Sequence, residues 1–265
     1  MIINEALFEF HLPYKGNNKT VRVFVPEHGD GERLPVIYMT DGQNLFEDDH
    51  PGQFGCWYTR EAVREKQHKS GKAAIIVGIY NDEGPIQRTS DLTPKSIGAL
   101  RYPDEIPEEM RRLMIPDGEA FDAFVTDTVM PEIEERFPVL TGRENTAFCG
   151  SSSGGLQAYF TVLSHPDKFC LGGVFSPAFP MYSDEDVIHW TKGIVSNNAP
   201  YLYLYSGSND QLEQEICEGT EAVAKAISEF YPKEKLKVEI IPEQRHHETA
   251  WAAVFKELLH TFLSE

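Results

Sequence analysis

The chain predicts an α/β fold: one mostly parallel central sheet with helices on both faces and an antiparallel edge at the N-terminal hairpin. Short apolar runs alternate with segments of helical spacing through most of the chain, whereas Thr20 to Pro26 near the N-terminus alternates apolar with other residues. The 265 residues are 41% apolar and 25% charged, the balance of a water-soluble globular protein. A chain of this length buries a core without disulfides or metals, so residues 1–265 are expected as a single domain.

Thr20 to Pro26 (TVRVFVP) alternates Val21, Val23 and Val25 with other residues, as a half-buried strand does, and GDGE at 29–32 supplies a turn. Leu34 to Thr40 (LPVIYMT) is apolar throughout and ends in Asp41-Gly42, the pattern of a central strand covered on both faces. Cys56 to Gln67 predicts a helix and Ala73 to Tyr80 another buried strand. Residues 81–117 break the rhythm with Pro85, Pro94, Pro103, Pro107 and Pro116, and are expected as an excursion or lid near the active site. Gly118 to Phe137 carries Phe121, Phe124, Val125, Val129, Ile133 and Phe137 at helical spacing. Asn145 to Cys149 is a short strand running into GSSSGG, and Leu156 to Leu163 continues as helix. Phe169 to Phe175 and Tyr201 to Tyr205 predict strands, Leu212 to Phe230 a helix, Leu236 to Ile241 a strand and Trp251 to Leu263 an amphipathic closing helix. Ligands in such sheets sit beyond the carboxyl ends of the strands.

With 42 acidic residues against 24 Lys and Arg, the net charge of −18 repels phosphate backbones and anionic lipid, so neither nucleic acid nor membrane is an expected partner. Cys56, Cys149, Cys170 and Cys217 stand far apart with no C-x-x-C pair, which predicts reduced thiols. The start MIINEALFEF has no basic segment followed by an apolar stretch, and the expectation is a cytoplasmic protein. No dinucleotide fingerprint or P-loop occurs, and His246-His247-Glu248 lacks the spacing that sets two metal ligands on one helical face. No cofactor and no metal are expected.

Gly150-Ser151-Ser152-Ser153-Gly154 satisfies G-x-S-x-G between a strand and a helix. A nucleophile at this turn sits in strained backbone, bulky neighbours two residues away collide, and Ser152 alone among the three serines has glycine at both flanks. A serine hydroxyl needs a histidine to take its proton, and the histidine needs a carboxylate, in the chain order Ser, Asp or Glu, His. The turn SGSND after Tyr201–Tyr205 offers Asp210 as that acid, with Glu213 in reserve; an N-cap of the following helix is the competing reading of Asp210. His246 and His247 follow the last strand, while His260 lies among Leu258, Leu259 and Phe262 as a structural residue. The oxyanion N–H groups are expected from Ser153, at the start of the helix, and Gln43, beside Gly42. Asp41 is expected to organise its turn, and Glu248 to serve as a helix N-terminal acid.

The strings VIYMTDGQNLFEDD, CWYTREAV, IIVGIYND, RTSDLTP, FCGSSSGG, HPDKFCLGGVFSPAF, SGSND and RHHETAW together resemble the Putative esterase family of α/β-hydrolases. That family includes feruloyl and acetylxylan esterases of carbohydrate esterase family one, siderophore esterases and mycolyltransferases. The resemblance spans roughly residues 20 to 260 and implies Ser152 as nucleophile, Gln43 as an oxyanion donor, and Asp210 as the acid three residues after Gly207. Its H-x-E-x-x-W pattern implies His246 rather than His247 as base. Ser153 stands where relatives often carry methionine, a change without consequence for a backbone N–H.

The resemblance implies a serine carboxylic-ester hydrolase working through an acyl-enzyme on a short-acyl or aryl ester, small or carbohydrate-linked. Phe46, Trp57, Tyr58, Phe179, Tyr182 and Trp251 are candidates for an acyl or aryl pocket, and a core position explains each equally well. An acidic chain gives no ground for recognising anionic catecholates. Two other readings use the same fold: an acyltransferase with the same nucleophile, and a binding module without catalysis.

Overall fold

The computed structural model describes residues 1–46, 55–81, 84–102 and 106–264. Parts of the 81–117 excursion, Pro103 among them, lie outside the described residues. The strands are β1 (Ile2–Ile3), β2 (Ala6–Tyr14), β3 (Asn17–Val25), β4 (His28–Gly29), β5 (Val36–Met39), β6 (Ile75–Ile79), β7 (Thr146–Ser151), β8 (Leu171–Phe175), β9 (Tyr201–Ser206) and β10 (Leu236–Ile240). The helices are α1 (Thr59–Ser70), α2 (Pro85–Asp91), α3 (Glu108–Leu113), α4 (Gly118–Phe124), α5 (Met130–Arg136), α6 (Ser153–Ser164), α7 (Asp184–Ile194), α8 (Gln211–Ile227) and α9 (Glu248–Phe262).

Eight strands form one sheet in the order β10-β9-β8-β7-β5-β6-β3-β2, and β1 pairs separately with β4. From β10 to β6 every pairing is parallel, whereas β3 runs antiparallel to both β6 and β2. β2 is largely exposed, which is why its apolar period is weak in the sequence. It joins β3 through Lys15 and Gly16, both at positive φ, the two-residue turn whose twist matches a hairpin.

Successive residues of the central strands serve opposite faces. Val36 and Tyr38 pack into a core with Phe121 of α4, Leu156 and Val162 of α6, and Val223 and Ile227 of α8. Ile37 and Met39 pack into a second core with Ala62 and Val63 of α1 and Val254, Phe255 and Leu258 of α9. Continuous apolar strands are what two covered faces require. The predicted helix 118–137 is α4 and α5 joined by a π-helical stretch, Val125–Val129, just before Pro131. Proline has no N–H to donate and crowds the preceding turn, so the wider turn accommodates it.

The four cysteines are unpaired, and Cys56, Cys149 and Cys217 are buried. Among the described residues no helix is long and apolar enough to cross a membrane.

Topology places the functional end. The chain runs from β5 to β6 on one side and then returns to β7 on the other side of β5. Loops leaving the carboxyl ends of β5 and β7 therefore diverge and leave a crevice between them. The excursion after β6 reaches over this crevice on α2, which is fixed from behind by a buried charge cluster. Asp91 accepts from Tyr14 Oη at 3.0 Å, from Lys15 Nζ at 2.9 Å and from Gln87 Nε2 at 2.8 Å. Lys19 Nζ, wholly buried like Asp91, lies 3.1 Å from its other oxygen.

Removing one partner of a buried ion pair strands the other charge in low dielectric. Asp91→Ala is therefore expected to lower unfolding free energy by about 3–5 kcal/mol, read as a lower urea midpoint. An unchanged midpoint would show that the cluster carries no load.

Candidate active site

At the end of β7 the chain turns sharply into α6, and Ser152 at the corner has φ 59° and ψ −127°. Its N–H donates to the Phe175 carbonyl at 3.0 Å, and its own carbonyl accepts from Ala178 N at 3.0 Å. Those bonds hold a backbone that side chains rarely adopt. The turn can form because Gly150 and Gly154 lack side chains. A Cβ on Gly150 would lie 2.3 Å from the Gly154 carbonyl oxygen, and one on Gly154 would lie 2.1 Å from Thr40 Oγ1. α6 begins at Ser153, so its first N–H groups have no acceptor within the helix.

Thr40 leads from β5 into the turn Gly42–Asn44, with Asp41 at φ 54°. The buried Asp41 carboxylate accepts from Arg88 Nε at 2.6 Å, Arg88 Nη2 at 2.9 Å and Asn81 Nδ2 at 3.1 Å. Burial alone would push this carboxyl up, but Arg88 and the amide donors outweigh it and hold it below the usual carboxylate range. Gln43 is locked as well, since its Oε1 accepts from Asn81 N at 3.1 Å. Asp41 thus organises its turn as the sequence suggests. The cation that neutralises it comes from the excursion, 47 residues away, a contact that only the fold reveals.

His246 lies between β10 and α9, and its Nδ1 is 2.6 Å from Glu213 Oε2. The sequence offered that contact to Asp210, and the structure gives it to Glu213. Asp210 is the N-cap of α8: one of its oxygens accepts from Glu213 N and the other from the His246 backbone N, both at 2.9 Å. Burial raises Asp210, but those two N–H groups prevail and hold it low. A cap's short side chain points at the helix's own free N–H groups. Glu213, in the first turn and fully buried, reaches the imidazole instead. Its other oxygen, Oε1, accepts from Ser176 Oγ at 2.6 Å, Gly207 N at 2.7 Å and Ser206 Oγ at 3.1 Å.

His247 caps α9, its Nδ1 accepting from Thr249 N at 3.2 Å, and does not line the cleft. His260 sits exposed on α9 beside Lys66. Glu248 opens α9 as expected, yet it is buried. One oxygen accepts from Asn44 Nδ2 at 3.3 Å, and the other has no hydrogen-bond partner among the described residues. Burial raises this carboxyl to about 7; the Asp41 charge adds to the shift, while its own backbone N–H, His246 and Arg88 oppose it.

These loops enclose a cleft of about 610 Å³ lined by Asp41, Gln43, Asn44, Pro85, Arg88, Ser151, Ser152, Asp210, Leu212, His246, Glu248 and Trp251. Of the aromatic candidates only Trp251 reaches it. Phe46 and Trp57 belong to the core under α1 and α9, Phe179 and Tyr182 to the opposite core, and Tyr58 is exposed away from the cleft. Phe46, Trp57 and Phe179 are drawn inward by aromatic contacts such as Trp57 on Phe175 and Phe179 on Tyr159. The described residues contain no group of three or more His, Cys, Asp and Glu disposed to hold a metal ion.

The model of the family described as Putative esterase matches residues 14–262. The chain belongs to the Putative esterase family. That membership makes it a carboxylesterase-type hydrolase, acting on ester bonds. Uncharacterized protein YbbA of Bacillus subtilis is 20% identical over 244 residues, 88% of each chain. The enterobactin esterase FES of Shigella flexneri superposes with a TM-score of 0.73 at 16% identity, over 99% of this chain and 60% of that one. The ferulic acid esterase AmCE1/Fae1A of the anaerobic fungus Anaeromyces mucronatus gives 0.64 at 19% identity, over 98% and 91%. The two superpositions show that this esterase shares their α/β-hydrolase fold.

A carboxyl raised on folding binds more protons in the native state than in the unfolded chain, so its native form loses stability as pH rises. For Glu248 the loss begins above the ordinary value of 4.5 and is complete above about 7. Glu248→Gln is therefore expected to gain stability relative to wild type between roughly pH 4.5 and 8. Urea midpoints for both proteins across that range test it, and parallel curves would refute the assignment.

Proposed function

We propose that this esterase works through an acyl-enzyme, with Ser152 as nucleophile, His246 as general base and acid, and Glu213 as the acid that orients His246. The observation that carries the reading is the meeting of a strained Ser152 and a carboxylate-bound His246 in one cleft. With Nδ1 engaged by Glu213, Nε2 is the imidazole nitrogen left to accept the serine proton. Ser152 Oγ attacks the ester carbonyl as His246 takes its proton. The oxyanion forms against the backbone N–H groups of Gln43 and Ser153, where the start of α6 adds its dipole. His246 then protonates the departing alcohol. A water molecule, deprotonated by the same histidine, releases the acid and restores Ser152.

Asp210 holds the backbone of His246 and starts the helix that carries Glu213. Leu212, Pro85 and Trp251 give the cleft an apolar side beside the amides of Gln43 and Asn44. That combination suits a short-acyl or aryl ester, of the kind the feruloyl relatives' name describes. Helix α2 of the excursion supplies Pro85 and Arg88 as a lid-like wall of the site within one domain.

On one aryl ester, Ser152→Ala is expected to lose nearly all turnover, and His246→Ala several orders of magnitude, while His247→Ala costs little. Glu213→Gln should fall by roughly 10²–10⁴, whereas Asp210→Asn, which keeps a capping oxygen, should stay within about ten-fold of wild type. A dead Asp210→Asn beside an active Glu213→Gln would return the acid to Asp210. Free acid as the sole product in the presence of added alcohols distinguishes hydrolysis from acyl transfer.

A further inference from the structure

Ser176, the first residue after β8, is fully buried and has φ 41°, in the left-handed region that a residue with a Cβ rarely occupies. Its N–H donates to the Tyr205 carbonyl at 2.6 Å, which ties the corner to β9. Its hydroxyl lies between two partners: Trp251 Nε1 at 2.9 Å and Glu213 Oε1 at 2.6 Å. The direction of both bonds is fixed by chemistry. An indole N–H can only donate, so Ser176 Oγ accepts from Trp251, and its single proton goes to Glu213.

Glu213 Oε1 has other donors, but they are not equivalent. The Ser206 hydroxyl also lies 3.1 Å from the Gly207 carbonyl, so its one proton is shared between two acceptors. Among the described residues Ser176 has no second acceptor for its proton, and together with Gly207 N it holds Oε1 on the side away from the imidazole. Trp251 completes a ring of contacts, since the His246 imidazole stands perpendicular to the indole at 5.0 Å between centroids. One indole therefore supports the histidine by its ring and the carboxylate through a serine.

We propose that Ser176, oriented by Trp251, is a positioning residue that fixes the Glu213 carboxylate so that Oε2 stays directed at His246. The inference rests on the triad reading above. It explains why a strained serine occupies the strand end, and it assigns Trp251 a task other than lining an acyl pocket. Without the hydroxyl, Oε1 loses a charge-assisted bond, the carboxylate gains rotational freedom, and negative charge redistributes toward Oε2.

The test compares wild type, Ser176→Ala, Trp251→Phe and the double variant on one aryl ester, with kcat, KM and the pH profile of kcat/KM. Ser176→Ala is expected to lower kcat about ten-fold, the factor equivalent to one hydrogen bond, with KM within about two-fold. It should also displace the acid limb of the profile, because the His246–Glu213 pair is altered; a role in packing alone leaves that limb in place. Trp251→Phe should lower kcat in the wild-type background and add little once the serine hydroxyl is gone. If Ser176→Ala fails to fold, Ser176→Gly lacks the same hydroxyl and is at ease at that φ. An unmoved limb with kcat within about two-fold of wild type overturns the proposal, as do losses that simply multiply in the double variant. If Ser152→Ala or Glu213→Gln keeps wild-type turnover, the triad reading fails instead.

Discussion

The turn from β7 into α6 closes directly on Thr40, with no side chain between, because Gly150 and Gly154 leave nothing to intervene. That close approach sets where Ser152 stands, and other parts of the site take their places from it. The Ser152 N–H is bonded to Phe175, so the next strand must end beside the corner. The residue that follows, Ser176, is then placed to reach Glu213, and Glu213 to reach His246. Thr40, on the other side of the contact, begins the turn that carries Gln43. A parallel sheet brings these strand ends to one edge, and the missing Cβ atoms let them touch.

Three carboxylates line the cleft and a fourth, Glu213, is buried against His246, and their surroundings give them different work. Asp41 meets a guanidinium through two bonds and stays charged. Asp210 is occupied by backbone N–H groups. Glu213 has three donors on one oxygen and the imidazole on the other. Glu248, with one amide donor among the described residues, holds a proton near neutrality. Similar groups are differentiated by the number of donors and by burial, as electrostatics in a poorly solvated site requires.

The sheet is legible in the sequence because fully covered strands must be apolar on both sides, and Leu34–Thr40 and Ala73–Tyr80 look like little else. The hairpin edge is weaker, since an exposed strand such as Ala6–Tyr14 carries little pattern. Ser152 stands out for a backbone reason, the glycine at both flanks, and it is Ser152 that has the positive φ. The choice between Asp210 and Glu213 was not legible. In D-x-x-E at a helix start either carboxylate can cap or face outward, and the answer depends on how the first turn of α8 is rotated against β8 and β9. Aromatic residues such as Trp57 and Phe179 fail for a related reason, because core and pocket ask for the same side chains. Arg88 pairs with Asp41 across a separation in sequence that no local pattern can bridge.

Helix α2 is only seven residues long, and it is gripped on two sides. Asp91 is sunk in the lysines and tyrosine of the hairpin, while Arg88, three residues earlier, holds the turn that carries Gln43. A span of three residues is less than one helical turn, too short to flex. The helix therefore works as a strut between the far edge of the sheet and the candidate site. The antiparallel hairpin, which from its topology alone looks like trim on a parallel sheet, is mechanically in series with the loop that carries Gln43. Drift in its packing reaches that loop through Asp91 and Arg88 of this one short helix.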